Sequence, residues 1–271
     1  MDFLVAEHGL SKARACRAVR LSRATFYRSA PDRSAEDAPV IDALNALISK
    51  HPRWGFGLCF DRMRLDGRSW NHKRVRRVYR EMGLNLPRRR KKRIPTRPQV
   101  PLDAPAELNR TWSIDFMSDA LYRGRRFRTL NVLDDGVREA LRIVVDTSIP
   151  SGRVVRTLEQ IAAWRGYPKA LRLDNGPEMI SANLEQWCAE HEVELRFIQP
   201  GKPNQNAFVE RFNRTFRHEV LDAYVFTDLR QVREITEDWV RIYNEERPHR
   251  SLGRVTPAMF RERIERPEAN F

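Results

Sequence analysis

The chain is poor in cysteine and has no closely paired histidines and no long apolar run. Its three cysteines, Cys16, Cys59 and Cys188, are odd in number and widely separated, which excludes a disulfide framework. No CxxC pair or His/Cys cluster with ligand spacing is present, so structural zinc is excluded too, and the three thiols read as ordinary buried groups. No stretch approaches the roughly 18 apolar residues that a membrane-spanning helix needs. The opening MDFLVAEHGLSKARACRAVR lacks both the apolar run and the small-residue cleavage site of a secretory leader, and a cytoplasmic, nucleoid-associated location is expected. No heptad zipper is recognisable.

What the sequence does have is apolar material and positive charge. The 271 residues are 41% hydrophobic, with six Trp and thirteen Phe, enough for one good-sized α/β domain and a smaller one. The formal net charge is +14, and it is unevenly spread: residues 1–100 carry 24 Lys+Arg against 9 Asp+Glu, the remainder 26 against 27. A basic module followed by an electrically neutral one points to a polyanion partner held by phosphate contacts and counterion release.

Residues 1–30 contain a short helix-turn-helix-like segment. Ser11 and Ser22 can cap its two helices, Ala15, Val19, Leu21 and Phe26 form an apolar seam, and Arg23, Thr25, Tyr27 and Arg28 can face a groove. After a polar linker, residues 36–86 read as a helical DNA-binding domain with helices near 36–50, 56–66 and 71–83. The last has Asn71 as N-cap, Val75, Val78 and Met82 on one face, Gly83 as its stop, and Lys73, Arg74, Arg76, Arg77 and Arg80 around the rest. Residues 87–106 are a linker: the run Arg88, Arg89, Arg90, Lys91, Lys92 and Arg93, then prolines at 95, 98, 101 and 105.

From 107 to 271 the pattern changes. TWSIDF (111–116), FRTLNVLDD (127–135) and ALRIVVDTSI (140–149) predict an antiparallel meander. A helix (152–166), a strand (170–175), a helix (181–191) and a strand (193–198) follow, then long helices at 204–221 and 228–246. The expected fold class is α/β, a mixed five-stranded sheet with flanking helices, preceded by the small all-α region. Asp115 lies near the end of the first strand, Asp174 ends the fourth, and Glu210 lies in the helix that starts near Pro203. If the first and fourth strands are neighbours, the two aspartates meet, and a helix packed across that edge brings in the glutamate. Three such carboxylates need a cation, and a hard oxygen set without His or Cys selects Mg²⁺ or Mn²⁺ over zinc. Two ions about 3.5–4 Å apart suit in-line phosphodiester transfer. Asp119, Asp134, Asp135, Asp146 and Glu178 read as turn formers, caps or supporting groups, and His249 as a packing or capping residue.

Asp174 and Glu210 are separated by 35 residues. With TWSIDF, LRLDNGPE, PGKPNQNAFVERFNRTFRHEV, YNEERPHRSLG and the upstream WGFG…NHKRVRRVYREMGL, the chain resembles the integrase/transposase superfamily, and within it the catalytic second-frame product of the third insertion-sequence family. The resemblance implies a ribonuclease H-like fold with Asp115, Asp174 and Glu210 as the catalytic metal ligands. It implies strand transfer at element ends, a companion first-frame product or frameshift fusion, and an oligomer on DNA. Arg217 matches a basic residue near DNA, and Lys202, Asn206 and Arg214 are further DNA-contact candidates. Phe56-Gly57-Leu58-Cys59-Phe60 departs from the Tyr and Arg of many relatives, which bears on DNA preference and leaves the triad intact. A ribonuclease H-type nuclease without strand transfer and a non-catalytic DNA-binding repressor are the alternative readings.

Overall fold

A computed structural model of the chain describes residues 2–27, 33–86, 106–174, 181–198 and 206–266. The chain divides into two compact units, Met1–Asn45 and Ala46–Phe271.

The first unit contains α1 (Asp2–Ala6), α2 (Lys12–Ala18), α3 (Arg23–Tyr27) and most of α4 (Ser34–Lys50). The expected caps form: Ser11 Oγ accepts from Arg14 N at 3.4 Å and Ser22 Oγ from Thr25 N at 3.0 Å. The expected seam forms only in part. Ala15 and Cys16 are buried, but Val19 and Leu21 are 47% and 36% exposed. Val19 lies just past the end of α2 and Leu21 in the following turn, so helical periodicity no longer places them on the inner face. Arg28 lies outside the described residues.

In the second unit, α5 (Phe56–Leu65) and α6 (His72–Glu81) follow the end of α4. Asn71 Oδ1 accepts from Lys73 N at 2.8 Å, capping α6, and Gly83 takes φ +68°, the left-handed stop a glycine supplies without strain. Val75, Val78 and Tyr79 form the buried face. These helices are tied to the C-terminal part of the chain: Lys50 pairs with Glu246 at 2.7 Å, Asp61 with Arg254 at 3.5 Å, and Arg62 donates to the Glu246 carbonyl at 3.3 Å.

Five strands, β1 (Thr111–Ala120), β2 (Arg126–Asp134), β3 (Glu139–Asp146), β4 (Ala170–Leu173) and β5 (Glu194–Phe197), form one sheet in the order β3-β2-β1-β4-β5. β1, β2 and β3 are the expected antiparallel meander, and β4 runs parallel to both β1 and β5. Parallel neighbours need crossovers, supplied here by α7 (Ser151–Arg165) and α8 (Ala182–Glu190). After β5 come α9 (Ala207–Phe216), a π-helical turn (Arg217–Leu221), α10 (Leu229–Glu245), a 3₁₀ turn (Arg250–Leu252) and α11 (Pro257–Glu265). One core layer joins Trp112, Ile114, Leu130 and Leu171 of the sheet to Leu158, Ile161 and Trp187 of α7 and α8. The other joins Phe127, Leu133 and Ile143 to Val209, Phe212, Phe216, Trp239 and Tyr243. The sheet is thus covered on both faces, and the central strand β2 is buried over nearly its whole length. Among the described residues, no helix is long and apolar enough to cross a membrane.

The acids at the Thr111 end of the sheet are structural. Arg165 Nη2 bridges Asp134 at 3.3 Å and Glu139 at 2.8 Å, while Asp135 accepts from Ser113 Oγ at 2.7 Å and pairs with Arg172. All three carboxyls are pushed up chiefly by burial, which their arginine partners oppose.

Candidate active site

Side chains alternate across a strand. Trp112, Ile114 and Phe116 pack in the layer of α7 and α8, and Met117 in the layer of α9 and α10, so Asp115 faces α9. Directly opposite it on β2 is Asn131. Asn213, three residues beyond Glu210 on α9, joins the two. Its Nδ2 donates to Asp115 Oδ2 at 2.7 Å, and its Oδ1 accepts from Asn131 Nδ2 at 2.6 Å. An ionised carboxylate only accepts, so this amide orientation is the one that satisfies both partners. Asp115 Oδ1 accepts from Phe116 N at 2.8 Å.

In the parallel β1–β4 ladder Ser113 is level with Arg172. Two residues further on, Asp115 and Asp174 fall at the same end of adjoining strands. Asp174 is the residue just after β4 and not, as expected, its last member: the strand ends at Leu173. Glu210 lies in the first turn of α9. Burial pushes the Asp115 carboxyl up to about 6; repulsion from Asp174 and Glu210 adds to this, while the Phe116 N–H and Asn213 oppose it. The structure therefore brings Asp115, Asn213 and Asn131 into contact and puts Asp174 and Glu210 within electrostatic range of Asp115. Among the described residues no three His, Cys, Asp or Glu side chains converge closely enough to hold an ion. As a donor set, hard carboxylate oxygens without nitrogen or sulfur suit a hard divalent cation.

Asn206 is buried just before α9; it makes no capping bond, and its Oδ1 has no partner among the described residues. Arg214 is exposed. Arg217 donates to Asp119 Oδ2 at 3.2 Å and to the Ser118 carbonyl at 3.0 Å, fastening the π-helical turn to β1. That turn replaces the last part of the continuous helix expected over 204–221. On α6, Lys73, Arg76 and Arg80 are exposed, while Arg74 and Arg77 are half-buried and Arg77 donates to Glu81 at 2.9 Å. Lys202, Pro203, Glu178 and the run Arg88, Arg89, Arg90, Lys91, Lys92 and Arg93 lie outside the described residues.

Sequence reasoning missed Asn213 and Asn131. The available signal was an amide on the apolar stripe Val209, Phe212, Phe216, where an unsatisfied polar group is costly. The YNEERPH segment has a role that can be read from its contacts. Asn244 bonds both backbone groups of Ala140, each at 2.9 Å, beside the irregularity in the β2–β3 ladder. Arg247 and Trp239 converge on Glu219 at 3.1 and 2.9 Å, and Tyr243 packs edge-on against Phe212 at 4.9 Å. These contacts tie α10 and the segment after it to β3, to α9 and to the turn that follows α9. His249 is half-buried and makes no cap bond; its ring packs edge-on against Tyr243 at 4.7 Å.

An integrase core domain model matches residues 105–203, a second integrase core domain model residues 191–257, and an HTH-like domain model residues 35–92. The chain is 43% identical to an insertion element IS476 protein of Xanthomonas euvesicatoria, over 96% of this chain and 75% of that protein. It is 42% identical to an insertion element IS407 protein of Burkholderia multivorans, over 93% and 90% respectively. It is also 26% identical, over 90% and 88%, to the transposase InsD for insertion element IS2 of Escherichia coli. The chain belongs to the third insertion-sequence family of transposases. The basic, Asn71-capped α6 of the transposase falls within its HTH-like domain, and the sheet, α9 and α10 fall within the integrase core. The intasome of simian T-cell lymphotropic virus, solved with the PP2A regulatory subunit B56 gamma, aligns with a TM-score of 0.52 at 14% identity, over 71% of this chain and 67% of that one. That likeness concerns the fold, a ribonuclease H-like sheet with helices on both faces. The enzyme class is the polynucleotidyl transferases.

Proposed function

We propose that Asp115, Asp174 and Glu210 are the catalytic carboxylates of this transposase, which cleaves phosphodiester bonds at the ends of its element and joins the freed 3′-OH to target DNA. The observation that supports this best is the parallel β1–β4 pairing, which sets Asp115 and Asp174 at one edge beside the helix that carries Glu210. Ligands of open α/β sheets gather at such carboxyl ends of strands.

The three carboxylates would hold Mg²⁺ or Mn²⁺, two ions in the full reading. When bound, the metal polarises the scissile phosphate and stabilises the leaving oxygen. Asn213 fixes the Asp115 carboxylate, and Asn131 fixes Asn213, so the acceptor oxygens are oriented before substrate arrives. In cleavage, water attacks phosphorus, the 3′-oxygen leaves and takes a proton. In joining, that 3′-OH attacks a target phosphodiester and displaces the target's 3′-oxygen.

Residues 36–86 would be the DNA-binding domain, using Lys73, Arg74, Arg76, Arg77 and Arg80. Residues 1–30 would be an accessory helix-turn-helix-like segment, 87–106 a phosphate-binding linker, and 107–271 the catalytic core with Lys202, Asn206, Arg214 and Arg217 near DNA. A companion first-frame product or fusion and an oligomer on DNA complete the assembly. The test is incubation with Mg²⁺ and a duplex bearing an element end. Joined products are expected, and Asp115→Asn, Asp174→Asn or Glu210→Gln should each lower cleavage by on the order of 10³-fold or more with DNA binding retained. Near-normal turnover in any of the three refutes the assignment, and cut products that are never joined would make the protein a nuclease.

A further inference from the structure

A cavity of about 660 Å³ opens between α5 and α6 on one side and α9, the end of α10 and the 247–254 segment on the other. Its charge is one-sided. Arg76 and Arg80 enter it from α6, Arg138 and Arg211 from the core, and Arg247, Arg250 and Arg254 from the C-terminal segment, against one carboxylate, Asp61. Arg247 is neutralised by Glu219 and Arg254 by Asp61. The other five make no ion pair among the described residues. Arg138 is held 3.4 Å above the Phe208 ring with Nη1 buried and unpartnered, and its burial disfavours the charged form. The guanidinium of Arg250 fills the space a side chain at position 57 would take: a Cβ on Gly57 would lie 2.7 Å from Arg250 Nη2. One further polar atom of the lining, His249 Nε2, is buried without a partner among the described residues, and Tyr79, also in the lining, is only 2% exposed. Arg76, Arg80, Arg211 and Arg250 keep their charge in contact with solvent, so their field concentrates anions at the cavity mouth, while the unpaired buried atoms deeper in it call for a hydrogen-bonding ligand.

The volume falls in the range of small-ligand sites, about 300–1,000 Å³. It admits a nucleotide or two and excludes a duplex. Phe56 and Phe208, both half-buried in the lining, offer apolar ring surface beside the guanidinium groups. Aromatic rings next to an uncompensated basic groove are the combination that holds unpaired strands.

We propose that this cavity binds one or two unpaired nucleotides of a DNA strand, with phosphates on Arg76, Arg80, Arg211 and Arg250 and a base against Phe56 or Phe208. The inference rests on DNA being the substrate but not on the assignment of the cleaving carboxylates. Neither Arg211 nor Arg250 belongs to that carboxylate site.

The experiment measures binding of a fluorescent thymidine pentanucleotide to the full chain in EDTA, so that no cleavage is read. Submicromolar to micromolar binding is expected, weakened tenfold or more by R211A/R250A and largely restored by R211K/R250K. Millimolar inorganic phosphate should compete poorly, and a hexaglutamate peptide should not compete at the same concentration. Unchanged affinity in a normally folded R211A/R250A protein overturns the site, as does equal binding of hexaglutamate or competition by phosphate alone. If the double variant fails to fold, a 4-thiothymidine pentanucleotide crosslinked to the unaltered protein decides: adducts at Phe56, Tyr79 or Phe208 support the site, and adducts elsewhere only overturn it. Loss of cleavage in Asp115→Asn protein leaves this result untouched, so the two readings fail separately.

Discussion

Replacing Asn213 by alanine tests whether the site is built by the asparagine pair that spans β1, β2 and α9. Asn213 is 7% exposed and makes two short bonds, 2.7 Å to Asp115 and 2.6 Å to Asn131. The variant removes a hydrogen bond to a charged group, about 1.5–3 kcal/mol, and leaves the Asn131 amide buried without its acceptor, about 1–3 kcal/mol. The two losses overlap, since relaxation at one end relieves the other, and a fall of roughly 2–4 kcal/mol in urea-unfolding stability follows. Losing a group that holds the Asp115 charge also raises the proton affinity of that carboxyl, already pushed up to about 6. A ligand that is misoriented and easier to protonate should cost about 10–100-fold in metal affinity or activity. The assay is cleavage of an end-bearing duplex across a Mg²⁺ titration, with the folded fraction measured in parallel. A positioning role moves the metal midpoint upward and lets excess metal recover part of the rate; a purely structural role lowers the yield of folded protein and leaves the midpoint alone. Asn213→Ala protein with an unchanged metal midpoint refutes the reasoning.

Burial, with Arg247, Arg211 and Arg138 nearby, lowers the His249 pKa from 6.5 to about 3. The unfolded chain therefore binds the extra proton between those values, and stability is lost as pH falls below 6.5. The loss is about 2 kcal/mol between pH 7.5 and 5 relative to His249→Gln, measured by urea unfolding of both proteins so that other titrating groups cancel; parallel pH profiles would contradict it. At Gly136 an added Cβ would collide with the backbone carbonyl of Glu107, which cannot swing aside like a side chain. Gly136→Ala should thus lower stability by about 2 kcal/mol or more, and a variant within 0.5 kcal/mol of the parent would show the loop to be pliable. Exposed Lys73 and Arg214 together should contribute about 2 to the slope of log K against log salt for duplex binding, so K73Q/R214Q flattens the slope by that amount if both meet phosphate.

Much of the fold was legible because its signals are local. The alternation in TWSIDF and FRTLNVLDD, the Ser11, Ser22 and Asn71 caps and the Gly83 stop each depend on a few neighbouring residues, and each formed. The expected elements appear within a few residues of their predicted ends, while α1 and α11, which are short, were not expected at all. What could not be read is what depends on register between distant strands. Asn131 has meaning only because it pairs with Asp115, and Asn213 only because α9 crosses both. Neither spacing is visible along the chain. The π-helical turn was hidden for a similar reason: it follows from Arg217 reaching Ser118 and Asp119 on a strand almost one hundred residues earlier. Glu219 likewise has no local signal: it receives Trp239 from α10 and Arg247 from the segment that follows it.

Helix α9 connects these observations. Three faces of its ten residues meet three environments: Val209, Phe212 and Phe216 the core, Glu210 and Asn213 the carboxylate edge, and Phe208, Arg211 and Thr215 the arginine-lined cavity. A helix moves as a unit, so its side chains cannot change environment independently. The bracing by Tyr243 and the fastening by Arg217 hold it against the sheet at both the middle and the end. Under that constraint, negative charge drawn into the cavity at Arg211 acts on the same rigid element that aims Asn213 at Asp115. Substitutions on the cavity face of α9 that preserve its fold should therefore change the geometry of the carboxylate edge only if they shift the helix, and the Asn213–Asp115 bond is the contact that registers such a shift.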